Sequence, residues 1–349
     1  MRKTTKLIFS LVLVFTIALS SSFIGFAANG KPFYAHFAKI GQEDSILLEQ
    51  NSNFVLVDTG RYYSKDTINS LLDARGVTYL NSIIITHYDA DHIGALLPVL
   101  EHINNNVGTL YGRYYDYSQL NLMYTLDKDG VYKNYLKFVN AVIKIAGLSN
   151  EYDEFDLNNV PAFSQTVMDK ISAVYSYSGT SWLSPNVSSG DNFYFGSSYI
   201  TWMNPAATYF SSSETAATLA NKINADSLVF RVGTESGNKM LFLGDTYELS
   251  DLVNATNTDC DVLKISHHGY PGSTTEKLLD EATPAYSIMT VADGSTATSR
   301  LNSIIARTDD IQRANFGSLY YTGTVANSYG TVQITSTGGI SVSNLNAVP

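Results

Sequence analysis

The run Thr86-His87-Tyr88-Asp89-Ala90-Asp91-His92 constrains this chain more than any other stretch. Four side chains able to bind a metal fall within six residues there. The run follows Ser82-Ile83-Ile84-Ile85, a short apolar segment that reads as a buried strand. It precedes Ile93-Gly94-Ala95-Leu96-Leu97-Pro98-Val99-Leu100, which reads as the start of a helix. Ligands on a strand-to-helix loop sit at the end of a rigid sheet, where an α/β fold places its chemistry. Imidazole with carboxylate suits zinc, manganese or iron, and two such pairs in one loop can serve two ions. A lone His-x-Asp is ordinarily a solvated pair or a cap. The order His-x-Asp-x-Asp-His with partners downstream asks for more.

Those partners lie in three further segments. Val57-Asp58-Thr59-Gly60 puts a carboxylate at a strand end before a tight turn. Leu241-Phe242-Leu243-Gly244-Asp245-Thr246 is another strand ending in Gly-Asp, and Asp261-Val262-Leu263-Lys264-Ile265-Ser266-His267-His268-Gly269 a strand ending in His-His-Gly. One polar ligand after an apolar strand is ordinary; four in this order form a pattern.

Around these segments the first third reads β-β-β-α-β-α, with strands over Pro32 to Ile40, Asp44 to Glu49 and Asn53 to Val57. A helix over Asp66 to Arg75 stops at Gly76. About residues 108–190 differ. They are rich in Tyr, hold helical stretches near Tyr132–Ala146 and Gln165–Tyr177, and read as an insertion over the active face. Crowded aromatic rings can stack on sugars or bases, or cage a quaternary ammonium; the plainer reading is that they pack the insert onto the body. Asp127-Lys128-Asp129-Gly130 lacks most of a calcium loop's ligands and reads as a plain turn. The second half returns to strands, over Ser198–Met203, Ser227–Val232, Lys239–Leu243, Val262–Ile265, Tyr286–Val291, Ser318–Tyr321, Gly330–Thr335 and Gly339–Ser343. Helices are expected over Thr275–Glu281 and Leu301–Thr308.

Residues 1–27 read as a secretory signal peptide: Arg2, Lys3 and Lys6, an apolar run to Gly25, and small residues before a cleavage point after Ala27. An uncleaved anchor is the competing reading. The expected mature chain, residues 28–349, is one hydrolase-sized domain with the insertion. It carries 19 basic against 32 acidic residues, a net charge of −13. That disfavours broad grip on a nucleic-acid backbone, although metals can supply positive charge to a nuclease. Cys260 is the only cysteine, so no intrachain disulfide forms, and a Gram-positive-type exterior fits an exported protein of this kind.

Taken together, the chain resembles the metallo-β-lactamase-fold hydrolase superfamily over about Pro32 to Val342. Two branches come nearest. One is the ComEC-type competence nuclease domain, on Ile40-Gly41-Gln42-Glu43-Asp44-Ser45, the His87–His92 run and Leu263–Gly269. The other is the secreted phosphorylcholine esterase of teichoic acids. The resemblance implies an α/β fold, a four-layer αββα metallo-β-lactamase sandwich with a helical Tyr-rich insertion and metals at one edge between the sheets. It implies a first metal site on His87 and Asp89, a second on Asp91 and His92, and Asp245 bridging both. His267 matches the late His ligand, with His268 the alternative within the pair and otherwise a substrate or leaving-group contact. Asp58 matches the buried carboxylate that orients the loop. Two departures stand out: Asp89 replaces a common His, and the usual third His of the first site is missing. Asn224-Ala225-Asp226-Ser227-Leu228-Val229 is similar to an Asn-x-x-Ser-Leu-Val pattern of the ComEC-like branch, which puts Asn224, or as second choice Asp226, near the site. Glu43 departs from the usual Gly of that branch.

The expectation is an exported binuclear hydrolase with two divalent ions, zinc or manganese, which hold a bridging hydroxide at neutral pH. Asp91, Asp245 and His268 would serve the chemistry. The expected substrate is a small or cell-wall phosphodiester, with nucleic acid also open and no membrane contact after signal cleavage. A lactonase or β-lactamase of the same fold, or a non-catalytic surface binding protein, are the alternatives.

Overall fold

The computed structural model describes residues 30–177, 190–203, 210–247, 258–307 and 316–348. The expected signal peptide lies outside them. Two sheets carry the unit from Lys31 onward. The first has seven strands: β1 (Phe33–Ile40), β2 (Ile46–Gln50), β3 (Asn53–Val57), β4 (Leu80–Ile84), β5 (Val107–Tyr111), β13 (Thr324–Ile334) and β14 (Ile340–Ser343). They lie in the order β14-β13-β1-β2-β3-β4-β5. The second has eight: β6 (Asn192–Phe195), β7 (Ser198–Trp202), β8 (Phe230–Gly233), β9 (Lys239–Phe242), β10 (Val262–Lys264), β11 (Tyr286–Met289), β12 (Ser318–Tyr321) and β15 (Asn346–Ala347). Their order is β15-β12-β11-β10-β9-β8-β7-β6.

Alternation along the strands explains the layers. Phe33, Ala35 and Phe37 of β1, Ile46 and Leu48 of β2, and Val55 and Val57 of β3 point one way. They meet Ile200, Phe230, Val232, Met240, Phe242, Val262 and Ile288 of the second sheet in one buried cluster. The opposite face of the first sheet, with Leu47, Leu56 and Ile83, packs under helices Lys65–Ala74 and Leu96–His102. The opposite face of the second, with Leu241, Leu263 and Met289, packs under helices Glu276–Ala282 and Gly294–Arg307. The result is the four-layer αββα arrangement.

The segment read as an insertion begins later than expected. Val107–Tyr111 is β5, paired in parallel with β4, because its apolar residues extend the buried sheet. Beyond it, helices Tyr117–Asp127, Lys133–Ile145 and Gln165–Tyr177 join the outer layer of the first sheet. Tyr115, Tyr132 and Tyr135 are fully buried there, so these rings pack the segment onto the body. The Asp127–Gly130 turn is a helical kink in which Asp127 Oδ2 accepts from Val131 N–H at 2.9 Å. Among the described residues no helix is long and apolar enough to cross a membrane.

Strands β3, β4 and β5 run parallel in one sheet, and β9 to β12 run parallel in the other. The segments after β3, β4, β9 and β10 carry every expected metal-site residue except Asn224. The carboxyl ends of these parallel strands therefore bring the expected residues together, the usual ligand position in such sheets.

Candidate metal centre

Asp58 follows β3 with φ +57°, and its backbone N–H donates to Ile84 O at 2.8 Å. This turn sends its carboxylate beneath the next loop. Oδ1 accepts from Thr86 N–H at 2.7 Å, and Oδ2 accepts from Thr86 Oγ1 at 2.8 Å and lies 2.7 Å from His92 Nδ1. Helix Lys133–Ile145 holds the same loop from outside. Asn134 Nδ2 donates to Tyr88 O at 2.8 Å and Lys137 Nζ to Gly94 O at 3.2 Å. Burial lowers the Lys137 ammonium to about 8.

Three imidazoles are fully buried: His87, His92 and His268. Each is anchored through Nδ1. His92 Nδ1 meets Asp58, and His268 Nδ1 meets Thr290 O at 3.0 Å and Thr290 Oγ1 at 2.8 Å. His87 Nδ1 lies 3.2 Å from Ser227 Oγ and 3.1 Å from Thr86 Oγ1. A carbonyl oxygen only accepts, which puts the His268 proton on Nδ1. The Thr86 hydroxyl proton already points at Asp58, which leaves its oxygen able to accept from His87 Nδ1. Nε2 of all three rings is buried with no hydrogen-bond partner, as is Asp245 Oδ1.

Asp245 stands among them. Its Oδ2 lies 3.2 Å from His92 Nε2, 3.5 Å from His268 Nε2 and 3.6 Å from His267 Nε2. Its backbone N–H donates to Ser227 Oγ at 3.0 Å. Burial alone would raise the Asp245 carboxyl, but His92 and His268 hold it well below the carboxylate range. Burial alone would lower His92; Asp245 and Asp58 outweigh it and raise the ring well above its ordinary value. Asp89 is pushed up to about 7 by burial and by Asp91.

Ligand atoms converge within 4.8 Å in three groups: His87, His92 and Asp245; Asp91, His92 and His268; and Asp44, Asp58 and His92. Of the adjacent histidines, His268 joins a group and His267 does not. The ring of His267 lies against Tyr270, with centroids 4.6 Å apart, and edge-on to Tyr247 at 4.9 Å. Burial holds it at about 4. Asp89 lies beside the first group, Oδ2 3.8 Å from His87 Nε2. Asn224 is buried, and among the described contacts it meets none of the ligand residues; Ser227, three positions on, meets two of them.

Left-handed backbone aims the late histidines. His267 and His268 have φ of +44° and +50°, a conformation that costs about 1–2 kcal/mol per residue. The turn is held by His267 N–H to Gly244 O at 3.1 Å, Ser266 Oγ to Thr246 O at 2.7 Å and Ser273 Oγ to Ser266 O at 2.9 Å. Below it, Lys264 Nζ and Asp44 Oδ2 form a buried ion pair at 2.6 Å. Asp44 Oδ1 is 3.7 Å from His268 Nδ1. Burial works against ionised Asp44, and Lys264 reverses it, so the carboxyl stays below its ordinary value.

The donor set fits divalent cations. Buried imidazole nitrogens that face a carboxylate and are oriented by partners behind them, and that give up any proton as an ion binds, are the arrangement such ions need. Ser227, Thr290, Asp44 and Arg61 were not among the expected site residues. Ser227 and Asp44 carried a signal, since each lies in a motif of the ComEC-like resemblance, but neither was read as a site residue.

Residues 38–157 match the family model described as the metallo-beta-lactamase superfamily. The match spans Asp58 and the His87–His92 loop. No curated protein matches the chain. Among solved structures, the metallo-beta-lactamase fold protein YhfI from Bacillus subtilis is 12% identical, with a TM-score of 0.43 over 89% of this chain and 99% of that one. A metallo-beta-lactamase with a HARLDQ motif from Cronobacter sakazakii is 10% identical, with a TM-score of 0.34 over 63% of this chain and 70% of that one. The family match covers about a third of the chain, and the αββα fold agrees with that similarity.

Proposed function

We propose that this chain is an exported metal-dependent hydrolase of phosphodiesters. The observation that carries the hydrolase reading is the convergence of three buried, unpartnered Nε2 atoms and Asp245 Oδ1 at the carboxyl ends of the two sheets. His87, Asp91, His92, Asp245 and His268, with Asp89 beside them, would hold two divalent ions, zinc or manganese. Ions there supply Lewis acidity and acidify water near neutral pH.

The chain's own residues do the rest. Asp58, Thr86, Ser227 and Thr290 fix which imidazole nitrogen faces the crevice. The left-handed turn at His267–His268 aims His268 toward Asp245, and Thr290 holds the far nitrogen of its ring. The buried Lys264–Asp44 pair supports it from behind. His268 acts here as a ligand, since its far nitrogen is committed to Thr290.

Asp89 in place of the commoner His, and the ComEC-like and esterase-like motifs, favour phosphodiesters over lactams or lactones. A carboxylate there also hardens the site toward manganese. The acidic mature chain favours a small or cell-wall ester over long DNA, outside a Gram-positive-type cell.

The test is hydrolysis of bis-p-nitrophenyl phosphate by the purified protein with manganese or zinc, beside a chromogenic cephalosporin and a lactone. Metal-dependent cleavage of the diester alone is the expected result. Ring opening with no diester cleavage gives the lactamase or lactonase alternative, and metal-loaded protein inert to all three refutes the phosphodiesterase reading.

A further inference from the structure

The chain repels the substrate class just proposed. Its expected mature charge is −13, and Asp89, Asp91 and Asp245 stand at the candidate centre. Two divalent ions would offset part of that charge, and a guanidinium beside them would add directed donors for the anion. Five arginines have described side chains. Arg75, Arg113 and Arg231 are each paired with a carboxylate: Glu49 at 2.8 Å, Asp226 at 3.6 Å and Asp259 at 3.3 Å. Arg61 pairs with Asp91, itself a candidate ligand, and Arg300 stands behind Tyr270, whose ring lies against His267.

Arg61 Nη2 donates to Asp91 Oδ2 at 3.2 Å, while its side chain stays 40% exposed. Its root is fixed. Glu43, 2% exposed, accepts from Arg61 N–H at 2.7 Å and from Ser64 Oγ at 2.7 Å. Its other carboxylate oxygen is 4.0 Å from Arg61 Nε. Buried Glu43 thereby carries Arg61 to the mouth of the crevice. On the other side, Arg300 Cζ lies 3.3 Å from the Tyr270 ring centroid. That ring lies against His267, whose Nε2 is 3.6 Å from Asp245. Gln42 Nε2 donates to Tyr270 Oη at 3.4 Å and holds the ring in place.

We propose that Arg61, carried by Glu43, and Arg300, carried by Tyr270, form an oxyanion subsite at the mouth of the centre that grips the non-bridging oxygens of the substrate. A guanidinium has five N–H donors, and Arg61 commits one to Asp91, leaving donors for a second oxyanion. The planar fork suits an anion spread over two oxygens, as in a phosphodiester. This assignment rests on the phosphodiesterase reading for its substrate but not for its test.

The test uses the full mature chain loaded with manganese and inorganic phosphate as probe, by titration calorimetry and as an inhibitor of bis-p-nitrophenyl phosphate cleavage. Arg61→Ala and Arg300→Ala should each weaken phosphate binding about tenfold with metal content unchanged, and KM for the diester should rise in parallel. Arg61→Lys should recover part of the loss, and Arg231→Ala, far from the crevice, should match wild type. Should Arg61→Ala prove unstable, Arg61→Gln replaces it. Phosphate affinity within twofold of wild type in both arginine variants overturns the subsite. A wild type inert toward the diester, whose phosphate affinity still falls in both variants, sinks the phosphodiesterase reading and leaves the subsite standing.

Discussion

Each imidazole of the centre is aimed by what its far nitrogen holds. Ser227 serves two groups with one hydroxyl, His87 Nδ1 and the backbone N–H of Asp245. Ser227→Ala should therefore lower metal affinity about 10–100-fold, read by chelator competition, with little change in fold. Affinity equal to wild type would remove Ser227 from the account. The paired histidines separate in the same assay: His268→Ala should lose one equivalent of metal, while His267→Ala retains the wild-type amount. The reverse result would move the ligand to His267. The residues that touch the crevice directly were readable, since His87, Asp91, His92 and Asp245 each follow an apolar strand. The supporting hydroxyls and Asp44 were not, because their contacts join residues tens to hundreds of positions apart and Ser and Thr are ordinary in loops. Choosing between His267 and His268 needs two consecutive left-handed residues, which no spacing rule announces.

At the scale of elements, the crevice depends on backbone that a side chain would spoil. Gly244 has φ +54°, and a Cβ there would lie 2.7 Å from Ser227 Cβ and 3.1 Å from Thr86 Cβ. Gly244→Ala should push the β9 loop off the β4 loop and abolish metal binding, measured by metal content; a variant with full metal would contradict the packing. Helix Lys133–Ile145 braces the His87–His92 loop through Asn134. Asn134→Ala leaves the carbonyl of Tyr88 without that buried donor and should cost about 1–3 kcal/mol in denaturant unfolding. An unchanged midpoint would show that the helix does not brace the loop. Most strands were legible as short apolar runs between turn residues. Helix Ala216–Ala225 was not, because its capping box uses Thr218 in place of Glu or Gln. Strand β5 was hidden by Gly108 within only five residues.

For the whole molecule, the two-sheet architecture was implied by the family resemblance that the ligand segments carry, whereas the place of the Tyr-rich helices was not. Aromatic residues suit a binding surface and a packed layer equally well in sequence, and only burial decides. Stability outside the crevice draws on a second polar network, in which Glu49 accepts from Arg75 at 2.8 and 3.0 Å and lies 3.1 Å from His36 Nε2. Burial alone would raise Glu49, but His36 and Arg75 bring it down to about 2 from an ordinary 4.5. The folded state thus binds fewer protons than the unfolded chain between those values. Its stabilisation, on the order of 1–3 kcal/mol, is complete above about pH 4.5 and fades as pH falls toward 2. Glu49→Gln should melt below wild type at pH 7, with the gap narrowing at pH 3; a gap independent of pH would contradict the linkage.

Buried imidazoles and Asp245 make a centre able to hold divalent ions, and the metal content of the purified chain decides whether it does so. Inductively coupled plasma analysis of wild type should find two divalent ions per chain, falling to one or none in Asp245→Ala and His92→Ala. A wild type that takes up no ion from excess manganese or zinc would contradict the account.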